Sequence, residues 1–253
     1  MTSRSSLALR IIVITVIYFC LSTYGGLLGW QLLYPIRLFV TFLHEFGHAA
    51  GALITGGAVE YITIEPNSAG VTSTFNGNLT VILMGGYIGS AIFGNLLFYI
   101  GARKPKWVKP TLVLVIAAML ITGFIWFNSL FTTAVLCGFS ALLYFVGFKT
   151  KYEREILMLL GVASVIYIIQ DFNVGPTSDL AAMENQLKFI PAKVWMYIWL
   201  AIVLLILAFN LKMLFSAKTR PTETLKNDSL RPGEKATRKK LNTTRRYNPI
   251  KKK

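Results

Sequence analysis

The chain has 253 residues, 54% of them hydrophobic, and a mean hydropathy of +0.56. That balance excludes an ordinary soluble domain and predicts an all-α polytopic membrane protein of about six to seven transmembrane helices. The net charge of +15 would suit nucleic acid, but 13 of the 26 Lys and Arg residues lie between Ala217 and Lys253, directly after the last apolar run. A basic segment in that place marks a cytoplasmic end facing anionic lipid, so no nucleic-acid partner is expected.

Met1–Arg10 is short and polar, and Ile11–Leu33 reads as an uncleaved first span, because it is long and lacks an A-x-A cleavage site. Residues 1–34 therefore form an N-terminal anchor, 35–216 a membrane-embedded core, and 217–253 a basic, disordered cytoplasmic tail. Pro35 suits the first turn of the next helix and Thr55-Gly56-Gly57 its end, which predicts a helix over about Pro35–Thr55. Beyond it, Val59, Tyr61 and Thr63 alternate with Glu60, Ile62 and Ile64, a pattern that suits a strand. Pro66–Gly70 is turn chemistry and Val71–Phe75 a returning strand, so a small β-hairpin follows the helix. Its edge offers a place to hold an extended substrate by strand addition, with Ile62 and Ile64 as candidate contacts.

Leu79–Ile100 is a strong span with a small-residue stripe (Gly85, Gly86, Gly89, Ser90, Gly94) for close helix contact. Asn95 is a polar group within it and a candidate to orient substrate. Two basic loops, Arg103–Lys109 and Lys149–Arg154, flank Thr111–Phe148, which is too long for one span and turns at Phe127-Asn128-Ser129. Ile156–Gln170 is a short span, Asp171–Pro191 a polar segment and Val194–Leu214 the last span. Cys20 and Cys137 lie in apolar runs with no disulfide or zinc spacing, which reads as buried small hydrophobes. Counting back from a cytoplasmic tail puts both basic loops inside; counting forward with every run spanning does not. One early segment is therefore re-entrant or half-spanning, the helix at Pro35–Thr55 with its hairpin being the candidate, and six true spans are preferred to seven.

The chemistry sits in Phe42–Gly51, FLHEFGHAAG, which contains His44-Glu45-Phe46-Gly47-His48, an HExxH pattern holding both histidines of the chain. In a helix, positions i and i+4 share a face, so both imidazoles can reach one zinc, with Glu45 beside them to take a proton from a bound water. A glutamate and two histidines among apolar flanks are costly without a partner or a function. A catalytic zinc needs about three protein ligands. No histidine remains, so the third is a carboxylate. Glu153 and Glu155 alternate with Lys151 and Arg154 as a solvated face, and Glu60 and Glu65 follow the motif too closely. That leaves Asp171, at the end of an apolar helix, and Asp179, whose competing role is to cap a short helix Leu180–Leu187.

The run FLHEFGHAAGALITGG, the hairpin VEYITIEPNSAG and the span GGYIGSAIFGNLL together resemble the site-2-protease-like intramembrane zinc metallopeptidases, in a compact bacterial branch. The resemblance covers about residues 35–100. It implies zinc on His44 and His48, Glu45 as general base, a third ligand from an aspartate on a later helix, and a transmembrane or membrane-associated protein substrate unwound beside the site. The chain departs from the family in lacking the Asn-Pro…Leu-Asp-Gly motif, for which Asp171-Phe172-Asn173 and Ser178-Asp179 are partial stand-ins, and in having no PDZ-like insertion. The expectation is an intramembrane zinc metalloprotease in the cell membrane. The alternative is a catalytically inactive binding or regulatory protein that keeps the fold, and a transporter is a weaker third.

Overall fold

A computed structural model describes residues 4–216 apart from 173 and 177, so the basic tail expected to meet anionic lipid lies outside the described residues. The chain divides into two units, Met1–Phe215 and Ser216–Lys253. In order, the first unit holds α1 (Arg4–Tyr24), α2 (Gly26–Ile54), β1 (Ala58–Ile64), β2 (Gly70–Phe75), α3 (Leu79–Met84), a π-helical turn (Gly85–Gly89) running into α4 (Ser90–Arg103), α5 (Pro105–Phe124), α6 (Leu130–Lys149), α7 (Glu153–Gln170), α8 (Asp179–Leu187) and α9 (Ala192–Ser216). Among the described residues, six helical segments are long and apolar enough to cross a bilayer: α1, α2, Leu79–Arg103, α5, α6 and α9. The protein is an all-α polytopic membrane protein with one two-stranded antiparallel sheet.

Two boundaries differ from the sequence expectation. The first apolar run is broken: α1 ends at Tyr24, and Gly26 takes φ 53°, a left-handed turn that glycine enters without a Cβ penalty. The motif helix therefore starts at Gly26, and Pro35 lies inside it rather than in its first turn. Cys20, expected to be buried, is exposed on α1, and Cys137 is half-buried.

Cap chemistry sets the other ends. The Asn78 side chain accepts from Val81 N at 3.2 Å to start α3, Ser129 caps α6, and Pro105 opens α5 at a position whose missing N–H costs nothing. The core gathers on the flanks of α2. Phe39, Phe42 and Leu43 pack with Tyr87, Phe139, Leu143, Trp199 and Val203, and Phe39 stacks on Phe139 at 5.2 Å between centroids.

Polar contacts collect at two opposite ends of the bundle. At one, Arg10 pairs with Glu155, Arg103 donates to Leu214 O, and Arg154 donates to Gly101 O at 2.9 Å and Ala102 O at 2.8 Å. At the other, Gln170 donates to Thr23 Oγ1 at 3.2 Å, Ile62 N to Trp126 O at 3.1 Å, and Asn128 Nδ2 to Thr63 Oγ1 at 2.7 Å. The hairpin folds back along α2: Tyr34 Oη donates to Pro66 O at 2.6 Å and Thr41 Oγ1 to Ser68 O at 2.8 Å.

Candidate metal centre

α2 presents His44 and His48 on one face, their rings 4.8 Å apart. That face is brought close to the π-helical turn by glycine on both sides. Any Cβ at Gly47 would collide with Gly85 O, and one at Gly85 with Gly47 O. The small-residue stripe thus does what its composition predicts, and the close crossing puts Gly86 against the imidazoles. A Cβ at Gly86 would lie 2.6 Å from Nε2 of both His44 and His48.

α8 supplies the carboxylate. Asp179 Oδ2 lies 3.0 Å from His44 Nε2 and 3.2 Å from His48 Nε2. The competing role for Asp179, capping a short helix, falls instead to Ser178, whose Oγ accepts from Ala181 N at 3.2 Å. Asp179 becomes the first residue inside that helix, and its side chain is free to turn to α2. Asp171, the other carboxylate candidate, lines the same cleft but is not grouped with the histidines. Its backbone carbonyl accepts from Tyr87 Oη at 3.4 Å, and Tyr87 stands edge-on to His44 with centroids 4.9 Å apart.

The donor set fits a metal ion. One ligand atom each from His44, His48 and Asp179 lie within 4.8 Å of one another, a nitrogen and oxygen set that zinc, a borderline-soft ion, accepts. His48 Nδ1–H donates to Ile82 O at 2.7 Å, which fixes the tautomer and turns a lone pair at Nε2 toward the lone pairs of Asp179. Two acceptors so placed require a cation or a second proton between them. Burial works to raise the Asp179 carboxyl; with that second proton on the imidazoles, their charge, His48 foremost, outweighs it and holds the group below the usual carboxylate range. Burial pushes the Asp171 carboxyl up, against opposing pulls from His44 and Arg37.

Glu45, 5% exposed, is reached from the hairpin: Thr72 Oγ1 donates to its Oε2 at 2.7 Å and stands 3.0 Å from its backbone carbonyl. Around these groups lies a cleft of about 600 Å³, walled by α2, by Asn67–Thr72 and Thr74 of the hairpin, by α3 with Tyr87, and by Tyr167, Asp171, Ser178 and Asp179. Among the described residues, Arg37, two helical turns before His44, is the one Lys or Arg in its wall.

The strand beside the cleft is β2 rather than β1. Ile62 and Ile64, named as substrate contacts, are 0% and 1% exposed and sit in the core, because the outer edge of β1 is already taken by Trp126 O and the Thr132 hydroxyl. Among the described residues nothing pairs the outer edge of β2. Asn95 is also away from the cleft. It is buried, its Nδ2 donates to Ala91 O at 2.9 Å, and its carbonyl accepts from Asn210 Nδ2 at 2.5 Å. Sequence reasoning missed Thr72, Tyr87 and Gly86. Gly86 had a signal in the small-residue stripe; Thr72 had only its place in a strand.

The fold and this cleft define a membrane-embedded protein of metallopeptidase type. Residues 9–210 match the family described as Peptidase M50B-like, and the chain belongs to that family, within the site-2-protease group. No curated protein and no solved structure matches the chain.

Proposed function

We propose that this protein is an intramembrane zinc endopeptidase that hydrolyses peptide bonds of membrane-associated proteins. The observation that supports it most is the convergence of His44, His48, Asp179 and Glu45 in one cleft beside an unpaired strand edge. His44, His48 and Asp179 are the residues that would hold the metal. Zinc in such a site polarises a scissile carbonyl and lowers the pKa of its water toward roughly 7.

The protein's own groups carry the rest. An extended substrate pairs with the outer edge of β2, which uses main-chain hydrogen bonds and so tolerates varied side chains. Pairing there lays the peptide past Thr72 and Glu45. Glu45 accepts the proton of the attacking water and returns it to the leaving amine. Thr72 fixes the rotamer of that carboxylate, and the buried position of Glu45 keeps bulk water from competing for it. The basic tail after α9 meets anionic lipid on the cytoplasmic side of the cell membrane.

The test is cleavage of a transmembrane substrate by purified protein in detergent, with metal content measured on the same sample. Glu45→Gln should keep the metal and lose about a hundred- to ten-thousand-fold in rate. Full activity in that variant overturns the proposal.

A further inference from the structure

We propose that Arg37 selects substrates by an acidic side chain, carried by the third residue on the carboxyl side of the cut bond. The place of the cut comes from the peptidase reading, on which this rests.

Arg37, Thr41, His44 and His48 follow one another at steps of four, three and four, so they share one face of α2. All four line the cleft. The guanidinium carbon of Arg37 lies 5.7 Å from the Trp30 ring centroid and 5.6 Å from that of Tyr167. Aromatic faces at that range hold a guanidinium by cation–π attraction without neutralising it. Its Nε is buried and has no hydrogen-bond partner. The ion pairs among the described residues join Arg10 to Glu155 and Asp179 to the two histidines, which leaves Arg37 without a carboxylate. A half-buried cation in that state is costly until a ligand completes it.

The hairpin sets the register. Tyr34 bonds Pro66 O, Thr41 bonds Ser68 O and Thr72 bonds Glu45, so Pro66–Thr72 runs in the same direction as α2. Antiparallel pairing is the more stable kind, so a substrate on the outer edge of β2 runs the opposite way. Its carboxyl side then leads from His44 back to Arg37. Seven helical steps separate the two, about 10.5 Å at about 1.5 Å each. An extended chain rises about 3.4 Å per residue, which makes that distance about three residues. The chain has space to continue. A second cavity of about 290 Å³, between α1, the start of α2 and the end of α7, shares Arg37, Tyr167 and Asp171 with the cleft.

Charge favours an acid at this point and opposes one elsewhere. Glu45, Asp171 and Asp179 place carboxyl groups along the rest of the wall. Burial pushes the Asp171 carboxyl up, so this neighbour opposes an incoming acid less than an ordinary aspartate does. A substrate carboxylate on Arg37 gains a charge-assisted, bidentate contact that an amide cannot make.

The experiment uses synthetic transmembrane peptides, each with one Asp walked along the segment, cleaved by purified protein in detergent and mapped by mass spectrometry. The cut should fall with the Asp third on its carboxyl side, and should move as the Asp moves. At that position Asp should exceed Asn by about ten-fold or more in kcat/KM, with Lys poorer than both. Arg37→Gln should bring Asp and Asn within about two-fold of each other, and Arg37→Glu should reverse the order of Asp and Lys. The scan with unaltered protein decides the matter even where Arg37→Glu fails to fold. Equal rates for Asp, Asn and Lys, an acid preferred on the amino side, or an acid preference that survives Arg37→Gln overturns the proposal. Fluorescence anisotropy of the same peptides on Glu45→Gln reads the charge preference without catalysis. Tighter binding of the Asp peptides there, abolished by adding Arg37→Gln, with no cleavage by the unaltered protein sinks the peptidase and keeps the Arg37 site. Cleavage indifferent to the acid does the reverse.

Discussion

Thr72 of β2 donates its hydroxyl to Glu45 Oε2 of α2 at 2.7 Å, so the strand that borders the cleft also positions the proposed base. A hydrogen bond to a charged carboxylate contributes about 1.5–3 kcal/mol. Thr72→Val keeps the shape of the side chain and removes the donor. Its kcat should fall about ten-fold or more, as 1.36 kcal/mol is tenfold in rate, while metal content stays at the wild-type level. Thr72→Ser should recover most of the loss. Steady-state cleavage of one substrate by the three proteins checks this; equal kcat in Thr72→Val would remove Thr72 from the mechanism.

Asp179 and Asp171 line the same cleft, but only Asp179 stands within 3.2 Å of both imidazoles. Asp179→Asn should lower zinc affinity by at least about a hundred-fold, beyond the range seen for lost outer partners. Asp171→Asn should bind zinc as the wild type does. Competition with a chelator of known affinity reads both. Equal metal retention in Asp179→Asn would move the third ligand elsewhere.

Gly86 makes a sharper steric test. Its missing Cβ leaves the space in front of His44 Nε2 and His48 Nε2, where the added atom would sit 2.6 Å from each. Gly86→Ala should fold, since alanine is the better helix former by about 1 kcal/mol, yet lose metal and activity together. Thermal melts paired with metal analysis separate the two effects. A variant that retains stoichiometric zinc would mean the ion sits away from this face of α2.

How far the sequence reached can be traced residue by residue. HExxH carries its own geometry, because the period of a helix alone puts His44 and His48 together. The hairpin was legible from the alternation over Val59–Ile64 and the turn residues after Pro66. The choice between Asp171 and Asp179 was not, since it turns on which side chain becomes the cap of α8. Ser178 and Asp179 are both good caps, and only the tertiary pull of two imidazoles separates them. The wrong start of α2 has a similar cause. Pro35 is tolerated inside the helix, whereas the real break at Gly25-Gly26 lies within an apolar run that reads as continuous. Ile62 and Ile64 were named as contacts on an open edge, and they are buried because what covers β1 comes from Trp126 and Thr132, distant in sequence.

Asn95 gives the last prediction, since its place in the structure sets it against a substrate role. Its side chain bonds its own helix, its Oδ1 is buried without a partner, and its backbone carbonyl takes the Asn210 amide from α9. Replacing a half-satisfied buried amide by an apolar group of similar size is close to neutral. Asn95→Leu should therefore leave KM and kcat within about two-fold and leave the melting temperature unchanged or raised. Asn210→Leu removes the interhelical donor and should destabilise the protein by about 0.6 kcal/mol, the mean for such bonds in membranes, with metal binding intact. Melts in detergent and cleavage kinetics on both variants decide the matter. A KM increase confined to Asn95→Leu would return this residue to the substrate path and require the segment around α4 to open toward the cleft.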